Sequence, residues 1–142
     1  MVEIKQIKEV TPDIVSAFCR LMPQLAPHLK APQMEDLSHI VNDKNKYTFI
    51  ASNTQIVGTI TLVIVKIPSG TRAWIEDVIV DQDARGQSIG EKMLLHVIEF
   101  AKKQNVASIN LTSSPSRIAA NKLYQKLGFN LRETNVYRID VD

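Results

Sequence analysis

The sequence predicts a single α/β domain, 1–142, with a mixed sheet flanked by helices. Three observations carry this expectation. The chain has 142 residues, 44% hydrophobic and 23% charged, enough to bury a core without disulfides or metals. Its apolar residues switch repeatedly between the period of two that suits strands and the period of 3.6 that suits helices. The resulting order, β-α-α-β-β-β-α-β-α-β, calls for a layered sheet-and-helix architecture.

Val2 to Lys8 alternates apolar and polar residues and reads as the first strand. Thr11-Pro12 is a helix start, since the hydroxyl can cap and a proline in the first turn gives up no needed N–H. Ile14, Val15, Phe18, Leu21 and Met22 then recur at helical spacing as far as Pro23. Cys19, the only cysteine, lies in this pattern and reads as core rather than as a nucleophile. Pro23, Pro27 and Pro32 surround His28 and predict a loop or a broken helix, followed by a helix over Gln33 to Val41 that contains His39. Both histidines are expected in solvent or structural roles rather than catalytic ones.

Tyr47 to Ser52 and Gln55 to Lys66 are predicted strands joined at Asn53-Thr54. The β-branched run from Ile60 to Ile67 suits a central strand. Pro68-Ser69-Gly70 turns the chain into a strand over Arg72 to Val80. Ile89, Met93, Leu94, Val97, Ile98 and Ala101 form the stripe of a long helix. A strand over Val106 to Thr112, a helix over Pro115 to Leu127 stopped by Gly128, and a strand over Val136 to Val141 complete the chain.

Composition narrows the function classes. The formal charge is +2, from 17 Lys+Arg against 15 Asp+Glu, and the basic residues are spread along the chain. Nucleic-acid binding would call for clustered cations with interleaved aromatics, and aromatics are only 6%. No apolar run approaches the roughly 20 residues that span a bilayer, and the first residues do not read as a signal peptide. A single cysteine argues against a zinc cluster. The expectation is a cytoplasmic protein with no nucleic-acid, membrane or metal partner.

Arg85-Gly86-Gln87-Ser88-Ile89-Gly90 lies between a strand and a long helix. A helix start leaves about four N–H groups unpaired and carries roughly half a positive charge. Small residues there let backbone approach a pyrophosphate, and Arg85 adds a cation. The spacing fits neither a nucleotide P-loop nor a dinucleotide fingerprint. Ser88 has two readings: it opens a capping box with Glu91, or its hydroxyl donates to a phosphate oxygen. Further on, Ser114 reads as a cap before Pro115. Arg117, Asn121 and Tyr124 follow at i, i+4 and i+7 on one polar stripe, with Ala119, Ala120, Leu123 and Leu127 beside it as core.

The segment IEDVIVDQDARGQSIGEKML resembles the core motif of the GCN5-related N-acetyltransferase (GNAT) superfamily, with Arg85 and Gly90 matching its first and last positions and Ser88 replacing the usual middle glycine. AANKLYQKLGF resembles the same superfamily at Asn121, Tyr124, Gly128 and Phe129. IEDVIV followed by ARGQSIG looks like the corresponding stretch of glucosamine-6-phosphate N-acetyltransferases. The resemblance implies a mostly antiparallel central sheet, acetyl-CoA as co-substrate, and a primary amine of a small molecule as acceptor, attacking the thioester directly.

It further implies cofactor contacts from Val78, Ile79 and Val80, from Arg85, Gly86, Gln87, Ser88, Ile89, Gly90 and Glu91, and from Ser113, Arg117, Asn121 and Tyr124. A backbone N–H at or near Val80 would polarise the carbonyl, and Tyr124 would protonate the thiolate. The amine must lose a proton, and Glu76 is favoured over Asp77 as base. Strand alternation sets Glu76 with Trp74, Val78 and Val80, opposite Asp77. Arg72, Arg117 and Arg132 are cations suited to an anionic acceptor. Two alternatives stay open: a non-catalytic CoA-binding or regulatory domain of the same fold, and an enzyme acting on proteins or peptides. The alternating last strand, free to pair, suggests a homodimer.

Overall fold

The computed structural model describes Met1–Asp142 throughout. Its residues fall into two compact units, Met1–Leu111 and Thr112–Asp142.

The first unit is built on five strands: β1 (Glu3–Gln6), β2 (Lys46–Ser52), β3 (Ile56–Ile67), β4 (Gly70–Val80) and β5 (Ile109–Asn110), side by side in that order. The first three pairings are antiparallel and β4–β5 is parallel. This is the mixed, mostly antiparallel sheet that the sequence and the resemblance led us to expect. Three helices accompany it: α1 (Pro12–Leu25), α2 (Met34–Asn42) and α3 (Ile89–Lys102).

Alternation along the strands divides the core between the two faces of the sheet. On one face Ile50 joins Ile7 with Ile14 and Phe18 of α1 and Leu37 of α2. On the other, Phe49 stacks edge-on against Phe100 of α3 at 5.2 Å and against His96 at 5.3 Å. Gly58 lies on this second face. A Cβ there would meet the Ile79 carbonyl oxygen and the Met93 sulfur, each at 3.1 Å, so the close approach of α3 to the sheet requires a glycine.

Several elements differ from expectation. α1 runs through Pro23 to Leu25, because a proline in the last turn removes just one intrahelical bond and leaves the turn otherwise intact. Cys19 is exposed, one step round the helix from the buried stripe of Ile14, Ala17, Phe18 and Leu21. The strand expected over Val106 to Thr112 is confined to Ile109–Asn110, although Ala107 N–H already donates to the Thr71 carbonyl at 2.9 Å.

The second unit contains one helix, α4 (Ile118–Lys126), with no buried residue. The expected cap does not form. Ser114 bonds the Ser116 hydroxyl instead, and Arg117 takes the N-cap position without a side-chain cap. Ala119 is exposed and Ala120, Leu123 and Leu127 are half-buried, so none is core. The closing strand expected over Val136 to Val141 is not formed within the second unit.

One buried ionic cluster holds α1 to the end of β4. Asp81 follows β4 directly and is 3% exposed. Its Oδ2 accepts from Arg20 Nε of α1 at 3.1 Å, and its Oδ1 accepts from the Asp83 N–H at 3.2 Å. Gln24 Oε1 accepts from the Gln82 N–H at 2.8 Å, and the Arg20 guanidinium also donates to the Ile56 carbonyl. Burial by itself raises the Asp81 pKa, but these donors and the Arg20 charge outweigh it and hold the carboxyl below its ordinary value of 3.8. The stability this group contributes is therefore present above the unfolded-state pKa and is lost as pH falls through the depressed folded value. Arg20→Ala is expected to cost about 1–3 kcal/mol by stranding a buried carboxylate. It should also move the acid-unfolding midpoint to higher pH, both read by circular dichroism in denaturant and acid titrations.

Candidate active site

The site of the first unit is made where β4 stops behaving as an ordinary strand. Thr61 lies opposite Glu76 and Thr59 opposite Ile79, so Asp77 and Val78 together face the single residue Ile60. This is a β-bulge, and Asp77 sits in it with a left-handed φ of 51°. Aspartate is among the few non-glycine residues that visit this region readily.

The bulge corrects the expected facing of side chains. Cross-strand partners share a face, and Thr59 and Thr61 lie on the same one. Glu76 therefore shares its face with Ile79, whereas Val80, opposite Gly58, has moved to the other. Expected alternation fails here because one extra residue shifts the count by one.

The bulge also lies on an open edge. β5 pairs with β4 only at Ala73 and Trp74, so no strand covers the outer side of Ile75 to Val80. The Asp81 N–H donates inward to the Val57 carbonyl of β3 at 2.8 Å. By alternation the N–H and C=O of Val80 turn outward, to the uncovered side. An extended ligand carrying amides can pair with such an edge as an added strand.

Directly beyond, Asp81 caps a 3-10 turn, Gln82–Ala84, and the chain passes through Arg85 to Ser88 into α3. Gly86 has φ 84° and Ser88 has φ 61° and ψ 27°. Ser88 occupies the N-cap position of α3 but makes no side-chain cap bond, so the expected capping box with Glu91 is not formed. A left-handed backbone aims the hydroxyl away from the third amide of the helix, which is the group such a cap must reach. The first bond of the helical ladder runs from the Lys92 N–H to the Ser88 carbonyl at 3.1 Å. The amides of Ile89 and Gly90 therefore stand outside that ladder, at the positive end of a 14-residue helix. Arg85, Gly86, Gln87 and Ser88 are exposed. Together they form a cradle fitted to a phosphate group.

Glu76 and Asp77 are adjacent and solvent-accessible. Partial desolvation raises the Glu76 pKa above 4.5, and the neighbouring Asp77 charge adds to the rise. Desolvation raises Asp77 as well. Neither histidine of the α1–α2 region belongs to this cluster. His28 is exposed, and His39 lies 4.0 Å from Glu35 on the surface of α2.

The second unit collects the remaining expected residues. Asn121 Nδ2 donates to the Ser114 carbonyl at 2.9 Å and to the Arg117 carbonyl at 2.8 Å, tying the preceding turn to α4. Its amide nitrogen thus serves the local backbone, a role that helical spacing did not suggest. Tyr124 is half-buried, edge-on to Phe129 with ring centroids 6.0 Å apart. Desolvation raises its pKa above 10.0, with the Arg117 charge opposing, so the phenol stays protonated at neutral pH. Ser113 Oγ is enclosed and without a hydrogen-bond partner, an orphaned polar atom of the kind a ligand satisfies. No side-chain cluster of metal-binding type occurs, and no helix is long and apolar enough to cross a membrane.

The family model for the acetyltransferase (GNAT) family matches residues 12–129, which takes in the bulged strand, the cradle and α4. The chain belongs to the GNAT family. It is 33% identical over 90 residues to glucosamine 6-phosphate N-acetyltransferase of Trypanosoma brucei brucei, covering 61% of this chain and 58% of that protein. N-acetyltransferase 8B of Homo sapiens matches at 32% over 80 residues, covering 55% of this chain and 35% of that protein. The chain thus spans between about a third and three fifths of the length of these relatives. Among solved structures, an aminoglycoside acetyltransferase from an uncultured soil metagenomic sample superposes with a TM-score of 0.85 at 21% identity, covering 99% of this chain and 95% of that one. The last likeness is one of fold.

Two backbone positions of the cradle are left-handed, and only one is glycine. Ser88→Gly is expected to relieve its strain and stabilise the protein by up to about 1 kcal/mol. The check is a denaturant titration of both proteins, in which an unchanged or lower midpoint would count against strain at Ser88.

Proposed function

We propose that this GNAT-family chain transfers the acetyl group of acetyl-CoA to the primary amine of a small-molecule acceptor. The observation that carries the reading is the uncovered, bulged edge of β4 running without a break into the anion cradle at Arg85 to Gly90. An acyl-pantetheine arm has amides to pair with a strand edge, and its pyrophosphate requires a cationic, amide-rich turn.

In this reading the backbone of Val78, Ile79 and Val80 binds the pantetheine arm. Arg85, Gly86, Gln87, Ser88, Ile89, Gly90 and Glu91 bind the pyrophosphate. Ser113, Arg117 and Asn121 are assigned further cofactor contacts. The amine nitrogen attacks the thioester carbonyl carbon, and the outward N–H of Val80 donates to the oxygen on which negative charge develops. Glu76 accepts the proton that the amine must lose, directly or through water, and its raised pKa moves it toward that of a useful base. The C–S bond then breaks and the thiolate takes a proton from Tyr124, a phenol held in its protonated form. A small amine is favoured over a peptide because the resemblance and the trypanosome relative both point to an amino-sugar phosphate, and Arg72 and Arg132 offer cations for such an acceptor.

Calorimetric titration of acetyl-CoA into the wild type, Arg85→Ala and Tyr124→Phe, followed by thiol release with a panel of amines, tests the assignment. Arg85→Ala should weaken binding about tenfold, as expected for loss of one charged hydrogen bond. Tyr124→Phe should leave binding intact and lower kcat by about 100-fold or more. The acid limb of kcat/KM should lie above the ordinary glutamate value of 4.5 and disappear in Glu76→Gln. Binding without turnover of any amine would mark a non-catalytic CoA-binding domain. Turnover of peptides alone would move the acceptor to proteins. No binding at millimolar acetyl-CoA would overturn the reading.

A further inference from the structure

Neither Arg20 nor Gln24 belongs to the cradle or to the bulged strand, yet both reach the turn from which the cradle starts. They stand four residues apart on α1, on one face of the helix, each three positions after a buried residue, Ala17 and Leu21. Packing of that buried stripe fixes where the two polar side chains emerge.

Gln24 uses every kind of polar group its amide offers. Oε1 accepts from the Gln82 N–H at 2.8 Å. Nε2 donates to the Arg20 carbonyl at 3.2 Å and to Asp81 Oδ1 at 3.5 Å. The reversed amide would set its oxygen against a carbonyl and a carboxylate, and its NH2 against an N–H, so one orientation satisfies the site. Arg20 Nε takes Asp81 Oδ2 at 3.1 Å, which leaves Oδ1 to Gln24 and to the Asp83 N–H.

From Gln82 the constraint passes straight to the cradle. Its N–H is held by Gln24, and its carbonyl accepts from the Arg85 N–H at 3.5 Å. The Ala84 N–H donates to the Asp81 carbonyl at 2.8 Å. A 3-10 turn of three residues is too short to keep its own shape. It is therefore located from outside, at Asp81 by Arg20 and at Gln82 by Gln24. Arg85 to Ser88 follow it at the surface, with little packing of their own. A pyrophosphate needs a guanidinium and several amides to converge at once, and a turn free to wander would lose affinity to its own ordering.

We propose that Gln24 is a positioning residue of the cofactor cradle: by fixing Gln82, its amide presents Arg85 and the first amides of α3 to the pyrophosphate. The assignment rests on the acetyl-CoA reading above and adds to it a residue of α1, 58 positions before Gln82 in the chain. The coupling is reciprocal. If the Gln24–Gln82 bond strengthens pyrophosphate binding, bound pyrophosphate strengthens that bond by the same factor. The pantetheine arm, assigned to Val78, Ile79 and Val80 ahead of the turn, lies outside this coupling.

Two ligands separate the arm from the pyrophosphate: acetyl-CoA, and S-acetylpantetheine, which has the same thioester and amides but no phosphate. Gln24→Leu keeps the bulk of the side chain and removes the amide. It should weaken acetyl-CoA about fivefold by calorimetry, as expected for loss of one neutral hydrogen bond. The dissociation constant of S-acetylpantetheine, read from an NMR shift titration, should not change. In the wild type, with no substitution, saturating acetyl-CoA should slow hydrogen exchange at the Gln82 amide about fivefold, and S-acetylpantetheine should not. Equal losses for the two ligands would mean a general loosening of the fold and overturn the inference. Full acetyl-CoA affinity in Gln24→Leu, or a Gln82 amide indifferent to acetyl-CoA, overturns it as well. A wild type that binds no acetyl-CoA overturns instead the reading beneath it, and the other outcomes arise only in a protein that binds, so the two failures are told apart.

Discussion

β4 has two edges with different fates, and most of the site depends on that inequality. Along β3 it is paired over nearly its whole length, which fixes its position and leaves its outward groups rigid. Along β5 it is paired at two residues and then abandoned. A backbone edge held rigid on one side and unsatisfied on the other is a costly object in a fold, because each uncovered N–H and C=O must find water or a ligand. The bulge at Asp77 adds to this by breaking the alternation at the point where the edge opens.

The Asp81 cluster secures the next step of the chain. A carboxylate that is almost fully buried at the end of β4 would be destabilising alone, but it receives an arginine, a glutamine and a backbone amide. Two of those groups come from α1, so the helix that packs on one face of the sheet also determines where the 3-10 turn begins. The left-handed Gly86 and Ser88 then direct the chain into α3 with its first amides outside the ladder. Packing, ion pairing and backbone conformation thus act in series on fifteen consecutive residues, from Glu76 to Gly90.

Much of this was legible in the residues. The apolar stripe of α3, the proline at the start of α1 and the β-branched run of β3 each commit to one period, and each formed where expected. The Arg85 to Gly90 turn was legible as a small-residue helix start, and the resemblance of the whole segment to a family motif set it apart from an ordinary tight turn. Ser88 was less legible: its identity suits a capping box, and only its backbone angles show that it does not form one. Asn121 presents a similar case, since position i+4 after Arg117 says nothing about which carbonyls its amide will reach.

By itself the sequence determined what depends on a residue and its near neighbours: the type and order of most elements, the cradle, and membership of a family whose motifs are short and contiguous. Tertiary structure alone decided what depends on a partner distant in the chain. The bulge is a mismatch between two strands and has no signature in one of them. The last predicted strand alternates as a strand should, yet Val136 to Val141 forms no strand within its own unit, because a strand is a relation between two backbones and periodicity describes only one.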